Sequence, residues 1–412
     1  AQSNLGLMFR YGEGIEKNYT AALKWHGLAA YQGYVISQYE LGVCYTHGEC
    51  AKVDHVQAFK WFRLAAEQGH AVAQSNVGYS YAVGQGVEQS KSESFKWYYQ
   101  AATQGNAYSQ VTLASMYLQG DGVEQSYGDA EKWYRLAAEQ GSVEAQSKLG
   151  TLYFKGREIA QDLLEAAKWF RLAAEQGDIK SQVTLGILYE QGRGVEKDIS
   201  EAALWFIRAA EQGDVIAQYN LGYKYETGYG IQKDFNNALK FYSLSAQKGY
   251  ALAQYKLGVM YENGKGSEKN VTEAFKWYHL SADQGEGRAQ YHLGIAFSFG
   301  KGVKQNYVEA VKWFRLAAKQ GFANAQYNLG YMYESGMGVK QNYNEAIKLY
   351  LLAADHGYAY AQTNLGILYE HGNGVNQDYE EAEKWYRLAA EQGNSEAKEN
   401  LSELLDKIHS DR

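Results

Sequence analysis

The sequence predicts an all-α repeat solenoid. Three observations carry that reading: a strict 36-residue period, apolar residues at helical spacing within each period, and a chain of 412 residues with 44 Gly and no Pro. The decapeptide KWFRLAAEQG stands at 60–69 and 168–177, and KWYRLAAEQG at 132–141 and 384–393, in both cases a multiple of 36 residues apart. Fixing that period aligns the whole chain without insertion or deletion, gives eleven units and leaves no stretch for a separate domain. The expected organisation is a solenoid over 1–396 followed by a capping helix and tail over 397–412, where Lys398 replaces a repeated Gln and the outer side is charged.

Each unit reads as two helices. In the unit from 361, Ala361, Leu365, Leu368 and Tyr369 share one face of the first helix. The run Gly372-Asn373-Gly374 breaks it, as expected of turns that must be built without proline, because Gly reaches positive φ at no Cβ cost. Asp378 heads a column of N-caps that includes Asn18, Asp54, Ser90 and Asp198. Glu381 three residues on suggests a capping box. The second helix carries Ala382, Trp385, Tyr386 and Ala389 on one face and closes at Gly393. All nine Trp occupy a single column, from Trp25 to Trp385. One hairpin cannot bury such faces alone, whereas a stack buries them continuously.

The pattern A-x-A-Q-x-x-L-G-x-x-Y-x-x-G-x-G-V, then D-Y-x-E-A-x-K-W-Y-R-L-A-A-E-Q-G, resembles the Sel1-like repeat, a relative of the tetratricopeptide repeat. The resemblance covers essentially the whole chain. It implies a right-handed α/α superhelix and an adaptor or scaffold role, with bacterial members often in signalling or host contact. Two departures stand out. The family's Pro after the G-x-G turn is replaced by Glu16, Lys52, Glu88, Glu124, Ala160 and Glu196, and the second turn Gly becomes Cys50 and Glu158, so those two turns are expected to differ.

Composition narrows function. The net charge of −7 gives no global attraction to nucleic acid, and no apolar run is long enough to span a bilayer. Nucleic-acid binding and membrane insertion are therefore not expected, and a monomer is. The opening Ala1-Gln2 falls within a unit, which reads as a processed or truncated start. The compartment stays open between periplasmic or secreted and cytoplasmic. The G-x-G-V turns lie between helices with no following G-K-[ST], so they are not phosphate loops, and no cofactor is expected.

The candidate site is a concave, Tyr-lined groove on the first helices. Tyr219, Tyr255, Tyr291 and Tyr327 repeat at one position in four consecutive units, with Tyr223 and Tyr331 one turn on. Asn220 and Asn328 lie beside the ladder, and Glu226, Glu262 and Glu334 are expected to form an acidic rim. Tyr gives large contact area at low entropy cost, so the expected ligand is a protein or peptide segment bearing Lys or Arg. The same tyrosines could instead pack between units. The other readings are a structural or engineered array without a ligand and, with no catalytic motif to support it, a groove-based hydrolase. Cys44, His47, Cys50 and His55 have ligand types for zinc. A Cys44–Cys50 disulfide is a second reading. The third places Cys44 in a core column and Cys50 at a substituted turn Gly.

Overall fold

The computed structural model describes residues 1–157 and 159–410, and among them the secondary structure is entirely helical. Glu158 therefore lies outside the described residues, as do the last two positions of the expected tail. Two compact units, 1–205 and from Phe206 on, divide inside the helix Ile199–Glu211.

In the first unit the hairpins are α1 (Gln2–Tyr11) with α2 (Tyr19–Ala30), α3 (Val35–His47) with α4 (His55–Glu67), α5 (Ala71–Val83) with α6 (Lys91–Thr103), α7 (Ala107–Gln119) with α8 (Tyr127–Glu139), and α9 (Val143–Lys155) with α10 (Leu163–Glu175). Then come α11 (Ile179–Gln191) and α12 (Ile199–Glu211). The second unit continues with α13 (Val215–Thr227) and α14 (Phe235–Gln247), α15 (Ala251–Asn263) and α16 (Val271–Asp283), α17 (Gly287–Phe299) and α18 (Tyr307–Lys319), α19 (Ala323–Ser335) and α20 (Tyr343–Asp355), α21 (Ala359–His371) and α22 (Tyr379–Glu391), and ends with α23 (Ser395–Ser410). The odd-numbered helices up to α21 open a hairpin and are called first helices below; the even-numbered are second helices. Residue 397 falls within α23, which packs on α22 through buried Ala397 and Leu404.

Local chemistry explains the boundaries. All eleven expected N-caps accept a backbone N–H from the first turn of their helix, as in Asp54 to Gln57, Asp198 to Glu201 and Asp378 to Glu381. The capping box is only half formed. The Asp378 N–H donates to the Tyr369 carbonyl at 2.9 Å, and Glu381 pairs with Lys384 instead. That carbonyl belongs to the free end of the first helix, so one bond satisfies two helix ends at once.

The glycines have two separate duties. Those ending a first helix, such as Gly372 at φ 69°, are left-handed caps. Those within a first helix receive the ring of the second: a Cβ on Gly366 would lie 2.4 Å from the Tyr386 ring. Among the described residues no residue other than Gly has positive φ, so the turn at Cys50 departs from the glycine turns, as expected.

A buried Gln in each first helix from α3 to α21 joins successive repeats. Gln146 donates to the Ala138 carbonyl at 3.0 Å and accepts from Gln176 at 2.8 Å, and Gln110 and Gln254 make the same pair of bonds. Apolar burial does the rest. Leu149, Ala166, Phe170 and Leu188 belong to one core cluster of the first unit, and Leu365, Ala353 and Tyr350 to one of the second.

Candidate interaction surface

All eleven proposed partner-binding residues lie in the second unit, on α13, α15, α17 and α19. The period-36 ladder places Tyr219, Tyr255, Tyr291 and Tyr327 at the same position on successive first helices. Each is half-buried and leans on the buried ring of its own hairpin's second helix. Ring centroids are 5.7 Å apart for Tyr219–Tyr242, 6.1 Å for Tyr255–Tyr278, 6.0 Å for Tyr291–Phe314 and 5.8 Å for Tyr327–Tyr350. Each ring has a further neighbour: Tyr250 lies 5.3 Å from Tyr219, His292 5.7 Å from both Tyr255 and Tyr291, and Tyr358 5.3 Å from Tyr327. Tyr223 and Tyr331 stand more openly, at 44% and 43% exposure. Asn220 is half-exposed beside them. Asn328 is turned back on its own helix, donating to the Asn324 carbonyl at 2.7 Å.

The glutamates differ from the expected rim. Glu226 accepts from the Tyr242 hydroxyl at 2.7 Å, Glu262 from Tyr278 at 2.6 Å and Glu334 from Tyr350 at 2.5 Å. Each donor is a buried second-helix tyrosine whose hydroxyl needs an acceptor. The carboxylates are therefore internal partners of the core rather than a free acidic edge. The signal was present in the sequence, since each of these Glu residues, and Glu370, is followed by a Tyr sixteen positions later.

A side chain from the next repeat completes two of these sites. Lys256 reaches Glu226 at 2.9 Å while lying over the Tyr223 ring, and His292 Nδ1 lies 3.4 Å from Glu262. Burial alone would raise the Glu226 carboxyl, but Lys256 and Tyr242 outweigh it and hold it below its ordinary value. Hydrogen bonding to His292, then to Tyr278, holds Glu262 down to about 2 against the burial that opposes it. The Lys256, His292 and Arg288 side chains on this face were not singled out in the sequence. Arg288 pairs with Glu286 at 2.7 Å and lies 4.9 Å from the Tyr255 ring centroid.

A pH dependence follows. The folded carboxyl of Glu262 sits below its unfolded value, so its contribution is complete above about pH 4.5 and is lost as pH falls through about 2. The stability difference between wild type and Glu262→Gln, measured by urea denaturation at several pH values, is expected to be constant near neutrality and to shrink steadily below pH 4.5. A difference unchanged down to pH 2.5 would remove the linkage.

In the first unit, Cys44 and Cys50 form a disulfide, with Cα atoms 5.2 Å apart. This corrects the placement of the two cysteines at unrelated structural positions: Cys44 does fill the core column, and the altered turn brings Cys50 back to it. The zinc quartet is not assembled. Both sulfurs are used in the bond, His47 is exposed, and His55 Nε2 lies 3.0 Å from Gln85 Nε2. Among the described residues no group of three or more His, Cys, Asp or Glu is arranged to hold a metal ion. No described helix is long and apolar enough to cross a membrane.

No curated protein matches the chain. Among solved structures, c5321, described as a protective antigen present in uropathogenic Escherichia coli strains and displaying an SLR fold, is 38% identical with a TM-score of 0.91, over 98% of this chain and 87% of that one. A Sel1 repeat protein from Oxalobacter formigenes is 31% identical with a TM-score of 0.61, over 75% of this chain and 89% of its own. The Sel1 repeat model matches eleven consecutive segments, 1–34, 35–70, 71–106, 107–142, 143–178, 179–214, 215–250, 251–286, 287–322, 323–358 and 359–394. With its caps, glycines and Gln ladder repeated in register through those segments, the chain belongs to the Sel1 repeat family.

Proposed function

We propose that this chain is a non-catalytic interaction scaffold that binds a protein or peptide partner on the first-helix face of its second unit. The observation that supports this most directly is a row of half-buried tyrosines flanked by the exposed Tyr223 and Tyr331. Tyr219, Tyr255, Tyr291 and Tyr327 pack against the rings behind them, and Tyr223 and Tyr331 extend the row. Pre-positioned aromatic side chains lose little entropy on contact, which favours their use in recognition. Sel1 and tetratricopeptide-like folds generally serve as such scaffolds, which supports the reading at the level of class. Within it, α23 acts as the terminal cap and the chain functions as a monomer.

The expected partner chemistry changes with the carboxylates engaged inside the fold. Lys256 and Arg288 are likewise paired, with Glu226 and Glu286, so the surface is left with rings, Tyr hydroxyls and Asn220, and an extended segment that offers backbone and apolar contacts fits better than one selected by Lys or Arg.

The test is capture from lysate and culture medium with wild type beside Tyr223→Ala/Tyr331→Ala. These two are the least packed members of the row, so the fold should be preserved, as circular dichroism will verify. A protein retained by wild type and lost from the variant is the expected result. Equal retention by both would place recognition on another face, and retention by neither would favour a structural array.

A further inference from the structure

The same inter-repeat niche is filled in one part of the chain and open in another. In the second unit it lies between α15, α16 and α17, where Glu262 projects inward, Tyr278 donates to it and His292 closes the side. The remaining volume there is about 10 Å³. Six repeats earlier the equivalent positions are Thr46, Phe62 and Asn76, on α3, α4 and α5. The carboxylate, the phenol hydroxyl and the imidazole are all missing. Thr46 is folded back onto its own helix, donating to the Gly42 carbonyl at 2.8 Å. The cavity is about 250 Å³, several times the ~30 Å³ that one water occupies in the liquid.

What remains around the opening suits the missing group. Asn76, Ser80, Gln85, His47 and His55 supply hydrogen-bonding groups, while Val43, Ala58 and Phe62 supply an apolar floor. None of the lining residues carries a negative charge. His55 is the first residue of α4, whose first-turn N–H groups are taken by the Asp54 carboxylate, so the donors for a bound anion are the side chains of the rim. We propose that this niche binds an exogenous carboxylate on a short aliphatic stem, which takes the place that Glu262 occupies in the later repeat. The carboxylate would accept from the rim and the stem would cover Phe62. The source is either a small free acid or an Asp or Glu side chain of a partner. This site is separate from the tyrosine face of the second unit and does not depend on that reading.

The test uses the full chain with ¹³C-labelled histidine and ¹⁵N-labelled asparagine, titrated with butyrate, butyramide and the peptide Ac-Ala-Ala-Glu-Ala-Ala-amide. Saturable shifts of the His55 ring and the Asn76 side-chain amide are expected with butyrate and not with butyramide. Peptide binding tighter than butyrate would identify a partner side chain as the source; butyrate binding as tight or tighter would identify a small acid. Thr46→Glu/Phe62→Tyr restores the internal carboxylate and its donor and should abolish the response. Asn76→Leu, at a half-buried position, should weaken it about ten- to a hundredfold, the loss typical of one hydrogen bond to a charged group. No saturable shift with butyrate or peptide, an equal response to butyramide, or binding undiminished in folded variants would overturn the assignment.

Discussion

Gly194→Ala is expected to destabilise the first unit by about 3 kcal/mol, combining left-handed strain with an overpacking cost. Gly194 has φ 72°, and a Cβ there would lie 1.9 Å from the Leu163 carbonyl oxygen and 2.3 Å from its carbon. The obstacle is backbone at the start of α10, which Asp162 caps and which cannot rotate aside as a side chain could. Gly86 and Gly338 meet the same obstacle at His55 and Tyr307. Gly177 separates the two contributions. Its φ is 95°, and a Cβ there would meet nothing within 4 Å, so Gly177→Ala should cost only the conformational strain, about 1–2 kcal/mol. Urea denaturation followed by circular dichroism, with hydrogen exchange to localise the effect, measures both. If the two variants lose the same stability, close backbone approach is not the reason for the second turn glycine.

Glu226→Leu is expected to cost about 2–3 kcal/mol, and its pattern in a mutant cycle is more informative than its size. Removing the carboxylate leaves the Tyr242 hydroxyl buried without its acceptor, while Lys256 can turn to solvent. Tyr242→Phe alone removes a donor but leaves Glu226 paired with Lys256, so it should cost less. The double variant should be more stable than Glu226→Leu alone, because an apolar pair strands no buried polar group. Strictly additive losses would show that the two side chains do not depend on each other.

The cycle also bears on recognition. A carboxylate committed to a core tyrosine cannot reach a ligand without leaving that hydroxyl unsatisfied. The expectation of an acid-rimmed groove treated Glu226, Glu262 and Glu334 by their position on the helix alone. By spacing they share a helical face with the tyrosines. Their role is set by a residue sixteen positions on, in the other helix of the hairpin.

The sequence by itself determined the local architecture. The period fixed eleven hairpins, Asn18 through Asp378 fixed the starts of the second helices, and glycines such as Gly372 fixed the ends of the first. Each of these depends on hydrogen bonds and dihedral angles within a few residues of chain, so it is visible in a short window of sequence. The tertiary structure decided what depends on distance between helices. It paired Glu226 with Tyr242 and Lys256, gave the Asp378 N–H to Tyr369 rather than Glu381, joined Cys44 to Cys50 through an altered turn, and left a cavity where Thr46, Phe62 and Asn76 replace three larger groups. A repeated column records which residue types are tolerated at a position. Whether a given member is a core acceptor, an exposed contact or a vacancy depends on the side chains that three different helices bring to the same point.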